Sequence, residues 1–208
     1  MANMQIALLV LVLLGFPAIS WYYLNTGLDY HKGAMAELGD HGALPLFERT
    51  NYDGTPLNTA DLHGSIVIAS VYDLAQTALS EQFGQAFSKL HDQFDERRDV
   101  LFLSVVGADS TLIPAFIEKY ELADPEQCYF FATPEEAMKT LAQSGFRMPE
   151  LQGAGSPFIA FADTASVIRN YYDVRDADKL KRLVEHTALL LPHIKDRDEL
   201  YFKREKEK

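Results

Sequence analysis

Cysteine is nearly absent from this chain: Cys128 is the only one among 208 residues. No intrachain disulfide and no Cys-x-x-Cys redox pair can form. Cationic side chains are also scarce, 19 Lys and Arg against 30 Asp and Glu, for a formal charge of −11. That balance excludes nucleic acid as a partner, because phosphate contacts need clustered Lys and Arg. It also disfavours adsorption to anionic lipid headgroups. The histidines (His31, His41, His63, His91, His186 and His193) show neither His-x-His nor His-x-x-x-His spacing, so no compact ligand pair stands out. Internal repeats are lacking too.

Charge is missing altogether from the N-terminus. No Asp, Glu, Lys or Arg precedes Asp29, and residues 6–24 are almost wholly apolar. As a helix, that run would be roughly 28 Å long, close to a bilayer's hydrocarbon thickness. Trp21, Tyr22 and Tyr23 close it, and such amphipathic rings favour the headgroup zone. Residues 1–28 are therefore expected to be a transmembrane anchor that meets membrane lipid through residues 5–24. The competing reading is a cleaved secretory signal with Ala18-Ile19-Ser20 as a small-x-small site, but MANMQ lacks the positive side chains of such a signal. Charge does not orient the anchor, because Lys32 lies beyond the span and nothing precedes it to count. Residues 29–43, polar and glycine-containing, read as a stalk.

What is present supports one globular domain at 44–192: apolar residues make up 48% of the chain and aromatics 12%. Its organising stretch is 66–94. The apolar strand Ile66–Tyr72 runs almost directly into a helix expected over 74–96, where Leu79, Phe83, Ala86, Phe87, Leu90 and Phe94 form one apolar stripe at helical period. Before it, Asp53-Gly54 signals a turn and Thr59–Gly64 a short helical turn closed by glycine. After it, Val100–Val106 is a continuous apolar run of the kind buried on both faces in a parallel sheet. Leu112, Ile113, Phe116, Ile117 and Tyr120 mark a second amphipathic helix, with Asp109-Ser110-Thr111 as its N-terminal cap. A short strand at Cys128–Phe131 precedes Thr133-Pro134-Glu135-Glu136, which reads as a helix start with the Thr133 hydroxyl as cap. That helix stops at Gly145. Strands at Phe158–Ala162 and Val167–Tyr172 follow, then a helix over 177–191 with Leu180, Leu183, Val184, Ala188 and Leu191. Residues 193–208 alternate in charge and read as a solvated tail.

The order β-α-β-α-β-α-β-β-α, opening on a βαβ unit, predicts one α/β domain with helices on both faces of a sheet. At this point the chain resembles the Sco/SenC family, membrane-anchored thioredoxin-like proteins that deliver copper to, or reduce thiols of, cytochrome c oxidase. The resemblance covers residues 44–191 and is carried by LPLFERTNYDGTPLNTADLHGS, by Ile66 through Phe94, by LADPEQCYFFATPEEAMKTLA and by SPFIAFADTASVIRNYYD. It implies a thioredoxin-like, Sco-type sheet flanked by helices; a cis Ser156-Pro157 bond before the strand Phe158–Ala162 would be a further thioredoxin-like feature, against the trans form that most X-Pro bonds take. In that family two cysteines of a CPxxCP motif at the first strand–helix junction, plus a histidine before the penultimate strand, bind copper. Alignment without gaps puts the cysteine positions on Gln76 and Ser80 and the histidine position on Gly155. The chain is thus a divergent member by resemblance, with a degenerate copper site and no cofactor expected. The family's acidic loop is shortened here to residues 106–111.

Cu(I) selects thiolate or thioether, with imidazole acceptable, and thiol exchange needs a thiolate. Gln76, Ser80 and Gly155 supply none of these. Tyr72, Asp73, Gln76 and Ser80 could instead hydrogen-bond a small ligand, although capping and solvating the helix start accounts for them better. Cys128 reads as a buried hydrophobe rather than a reactive thiol, the histidines as scattered surface groups, and Tyr171 and Tyr172 as one exposed and one buried strand position. The expected function is a non-catalytic, membrane-anchored accessory or assembly module of a respiratory, cytochrome oxidase-related complex, facing the periplasm from the bacterial inner membrane. Its alternatives are a copper metallochaperone with substitute ligands such as Met148 or a stalk histidine, and a Cys128-dependent thiol peroxidase.

Overall fold

The computed structural model describes residues 11–107 and 109–191. These fall into two units, one ending at Leu38 and one starting at Gly39. The first is helix α1, Phe16–Ala36, entered through a π-helical turn at Leu11–Gly15. Proline in its first turn forfeits an N–H that would have no helical partner there. The helix runs through Ala18–Ser20 and on through Asp29–Ala36, so half of the stretch expected as a stalk is helical. Strong helix formers (Leu28, Lys32, Ala34, Met35 and Ala36) outweigh Gly27 and Gly33 there. Among the described residues no helix is long and apolar enough to cross a membrane. Residues 5–10 of the segment expected to meet lipid, and the 193–208 tail, lie outside the described residues.

The second unit opens with a small hairpin, β1 (Glu48–Thr50) and β2 (Pro56–Asn58), turned through Gly54 at φ +89°. A 3₁₀ turn, Thr59–Leu62, leads into the main sheet. Its strands are β3 (Ile66–Tyr72), β4 (Val100–Val106), β5 (Cys128–Ala132), β6 (Phe158–Ala162) and β7 (Ile168–Asp173), in the spatial order β5-β4-β3-β6-β7. β3, β4 and β5 are parallel, and β6 and β7 are antiparallel additions on the other side. β3 and β4 are buried at every position, which is why both lack the apolar–polar alternation of a one-sided sheet.

The helices are α2 (Thr77–Phe94), α3 (Leu112–Lys119), α4 (Glu135–Thr140, prolonged by a π-helical turn to Gly145) and α5 (Ala177–Leu190). One face of the sheet carries an aromatic layer. Tyr72 stacks on Phe83 of α2 at 4.3 Å, Phe87 meets Phe102 at 5.6 Å, and Phe116 of α3 meets Phe130 at 6.0 Å. α5 joins that face through Tyr172 and His186. The opposite face is aliphatic: Val67, Ala69, Val71, Leu101, Leu103 and Val105 pack with Met138 and Ala142 of α4 and with Leu44, Leu57 and Phe146. Both outer strands are shielded. Asn51 Oδ1 accepts the Phe130 amide at 2.9 Å on the β5 side, and residues 39–44 bond to β7 through Gly39 N–Arg169 O and His41 N–Ile168 O.

Three local expectations change. The Thr133 hydroxyl is buried without a hydrogen-bond partner and does not cap α4; Pro134 stands at the cap position, its carbonyl accepting the Met138 amide at 2.9 Å. α5 buries Leu183, His186 and Thr187 rather than a Leu180–Val184–Ala188 stripe. The Tyr172 hydroxyl draws His186 inward, so the polar pair sets the buried face. Tyr172 is buried as expected, while Tyr171 is half-buried and donates its hydroxyl to the Phe146 carbonyl at 2.9 Å.

Gly84, on the buried face of α2, lets Tyr120 lie flat against the helix: a Cβ there would stand 2.3 Å from the Tyr120 ring. Gly→Ala inside a helix ordinarily stabilises by about 1 kcal/mol. Here the sign is reversed. Gly84→Ala is expected to destabilise by about 1–3 kcal/mol through overpacking, measured by urea denaturation, and to lose most of that cost in a Tyr120→Ala background.

Candidate functional site

The C-terminal end of β3 is where the chain turns toward α2, and the three ligand positions implied by resemblance meet there. Asp73 Oδ1 accepts the Ala75 amide at 2.9 Å, and the Gln76 amide donates to the Asp73 carbonyl at 3.1 Å. This turn takes up residues 73–76 and moves the helix start to Thr77, three residues later than the apolar pattern predicts. Gln76 is the half-buried N-cap residue and its side chain makes no capping bond. One turn on, Ser80 is buried and donates its hydroxyl to the Thr77 carbonyl at 3.1 Å.

Facing them, residues 151–157 lie directly on the strand end. The Ser156 amide donates to Val71 O at 2.8 Å, and the Gln152 amide to Gly155 O at 2.9 Å. Gly155 is buried between these bonds. A Cβ on it would stand 2.7 Å from the Val71 carbonyl oxygen and 2.8 Å from Tyr72 Cα, closer than real Cβ contacts come. Gly153, at φ +66°, lies against the Gln76 amide: a Cβ there would be 2.8 Å from Gln76 Nε2. The approach between loop and strand is thus backbone on backbone, and it needs glycine for lack of space. Ser156-Pro157 is trans, correcting the cis reading; no cis bond occurs among the described residues. The trans loop is held by Phe158 N donating to Ser156 Oγ at 3.2 Å and Val174 N to Pro157 O at 2.9 Å.

As chemistry, this site offers an amide, a hydroxyl already committed to the backbone, and a glycine. None is a donor that selects Cu(I), and none can be a thiolate. The substitute ligands fare no better. Met148 is buried in the aliphatic core layer. Cys128 sits at the start of β5 in register with Phe102, fully buried. Burial pushes its thiol up to about 12, with Asp124 adding to the shift. A thiol so placed stays protonated at neutral pH and is a poor nucleophile.

Two histidines are not surface groups, contrary to expectation. His186 is buried against Tyr172. His91, in the last turn of α2, is partly buried against the Phe102 ring. Its Nε2 and carboxylate oxygens of Asp95 and Asp124 lie within 4.8 Å of one another. The His91–Asp95 spacing of four is a helical chelate spacing, which a search for paired histidines passes over; Asp124 arrives from a loop. The Arg98 guanidinium already occupies Asp124 Oδ2 at 2.9 Å and reaches Glu126 at 3.4 Å. One carboxylate of the trio is therefore already paired with an arginine. Burial alone would raise the Asp124 carboxyl, but the Glu126 amide, His91 and Arg98 outweigh it and hold the group below its ordinary value. Arg98 and Glu126 also border a shallow groove of about 340 Å³ with Asp61 and Tyr129, which no sequence pattern announces.

No family model matches the chain, and no curated protein does. Solved structures do. The chain is similar to a SCO1/SenC family lipoprotein from Bacillus anthracis str. Ames, at a TM-score of 0.59 and 19% identity over 71% of this chain and 94% of that one. It is similar to a putative protein disulfide isomerase from Bacteroides thetaiotaomicron, at 0.60 and 12% over 77% and 95%. A putative thiol:disulfide interchange protein from Chlorobium tepidum gives 0.53 and 15% over 74% and 99%. Identities this low establish the fold, which is thioredoxin-like, and a Sco/SenC protein stands among the structures that share it, in agreement with the sequence resemblance.

Three outcomes are expected. Gly155→Ala should lower stability by about 1–3 kcal/mol by overpacking the strand end; an unchanged urea midpoint would show that the loop lifts freely and the cleft is open. Cys128 should resist iodoacetamide in the native state and react fully in denaturant. A carboxylate with a depressed folded-state pKa contributes stability that is present above its unfolded value and lost as pH falls through the folded one. Asp124→Asn should therefore lower stability at neutral pH, and its deficit against the parent should shrink below about pH 4.

Proposed function

We propose that the protein is a membrane-tethered, non-catalytic module of Sco type that works by binding another protein, with neither copper transfer nor thiol exchange of its own. The observation that carries this is the strand end: its three ligand positions hold Gln76, Ser80 and Gly155, and at Gly155 the backbone leaves no room for a side chain. The thioredoxin-like domain survives such losses because its core layers do not depend on ligands. The tether is supported by the uncharged, apolar N-terminal run and by the exposure of the described part of that run as helix. The Sco likeness supports a partner among respiratory, cytochrome oxidase-related membrane proteins and a periplasmic domain on the bacterial inner membrane; that inference is by analogy of family. No cofactor is required by this function.

Two measurements test it. Titration of the purified chain with Cu(I) against a competing chelator should give no stoichiometric tight binding, and one equivalent held tightly would overturn the proposal. Photo-cross-linking in native membranes should then capture a membrane-protein partner. Thiol–disulfide interchange or peroxide consumption that disappears in Cys128→Ser would instead make the protein an enzyme.

A further inference from the structure

We infer that the bilayer surface crosses α1 at Trp21, Tyr22 and Tyr23, and that the helix leaves the membrane unbroken, its following residues standing in water as a helical spacer. This rests on the membrane-tethered reading and locates its boundary. The first observation is the distribution of exposed apolar groups. Phe16, Ile19, Trp21, Tyr22, Tyr23, Leu24, Leu28 and Tyr30 are all more than half exposed. Successive helical residues are about 100° apart, so Trp21, Tyr22 and Tyr23 alone wrap some 200° of the axis. A helix bound for a protein surface shows one apolar stripe. Over 16–24 this one is apolar on every side, as a helix in lipid must be.

The second observation is where charge begins. From Leu11 to Leu28 no side chain carries a charge, and the ten residues before Leu11 add none. Beyond the rings come Asp29, Tyr30, His31 and Lys32. At about 1.5 Å per residue Asp29 stands roughly 9 Å past Tyr23, clear of the hydrocarbon. Indole and phenol rings, apolar in body and polar at the tip, settle between those zones. The third observation is continuity: helical backbone persists to Ala36, and Thr26 Oγ1 donates to the Tyr22 carbonyl at 2.9 Å just where the helix emerges. From Tyr23 to Ala36 the helical rise is about 20 Å.

Trp21 is the only tryptophan in the chain, so its fluorescence reports the boundary without labelling. The full chain is reconstituted in phosphatidylcholine vesicles whose acyl chains carry bromine at different depths. Trp21 should emit blue-shifted and be quenched about twofold or more by bromines near the glycerol end than by bromines at the chain ends. In a Trp21→Phe, Tyr30→Trp double variant, emission should be red-shifted, open to acrylamide and untouched by brominated lipid. Strongest quenching of Trp21 from the chain ends would overturn the boundary. So would no lipid quenching while the chain stays with the vesicles, which would mean that another copy or a foreign helix covers the rings. Lipid quenching of the tryptophan at position 30 would overturn the spacer. Failure of the chain to float with the vesicles would remove the tethered reading itself.

Discussion

The hydrogen bond from the Ser156 amide to the Val71 carbonyl fixes how closely the 151–157 loop lies on β3, and the character of the strand end follows from that closeness. At 2.8 Å the two backbones are in contact with no side chain between them. Gly155 fits because it has none. Gly153 yields its space to the Gln76 amide, and Ser80, one turn into α2, satisfies its hydroxyl locally. A junction that in a thioredoxin-like fold can present reactive groups to a cleft is here filled by main chain.

The strand end can be closed because the fold is secured elsewhere. β3 and β4 are buried along their whole length between an aromatic layer and an aliphatic one. Apolar burial on this scale, not ligation, supplies the driving force. Some of the polar groups inside are paired across the fold, while the Thr133 hydroxyl and Tyr72 hydroxyl lie buried without a hydrogen-bond partner. Ser70 and Ser104 face each other at 3.2 Å across β3 and β4, and the Gln127 side chain donates to the Phe94, Arg97 and Val100 carbonyls where α2 ends. The sheet's outer strands are covered by the chain's own segments.

Much of this was legible in the sequence, and the limits are physical. The bounds of β3, β4 and β6 follow from continuous apolar runs, and every residue of the α2 stripe is buried, with Ser80 and Gly84 buried beside it. The α2 start was misjudged because an Asx turn at Asp73 competes with helix over the same residues. The α5 face was misjudged because apolar periodicity cannot see that a tyrosine hydroxyl will draw His186 inside. At the candidate site, the positions to look at came from the family resemblance, and the residue types on them, Gln76, Ser80 and Gly155, could be read directly. Closure could not: the fit of Gly155 depends on two backbones 84 residues apart in the chain, and no local pattern encodes their separation. The trans Ser156-Pro157 bond belongs to the same class, since its neighbours Val71 and Val174 are distant in sequence. The trio His91, Asp95 and Asp124 escaped notice because one of its members comes from another loop.

The tight seat of Gly155 bears on which substitutions the strand end accepts. Cysteines at positions 76 and 80 would replace a half-buried side chain and a buried, locally bonded one at the helix start. A side chain at 155 meets the Val71 carbonyl and the Tyr72 backbone before it reaches any cleft. The loop would have to lift first, giving up its bond to β3, and no single substitution does both. The glycine therefore acts as a lock: the helix start can vary in sequence while the loop stays down, but a side chain at 155 is reached only through a less stable arrangement of loop and strand.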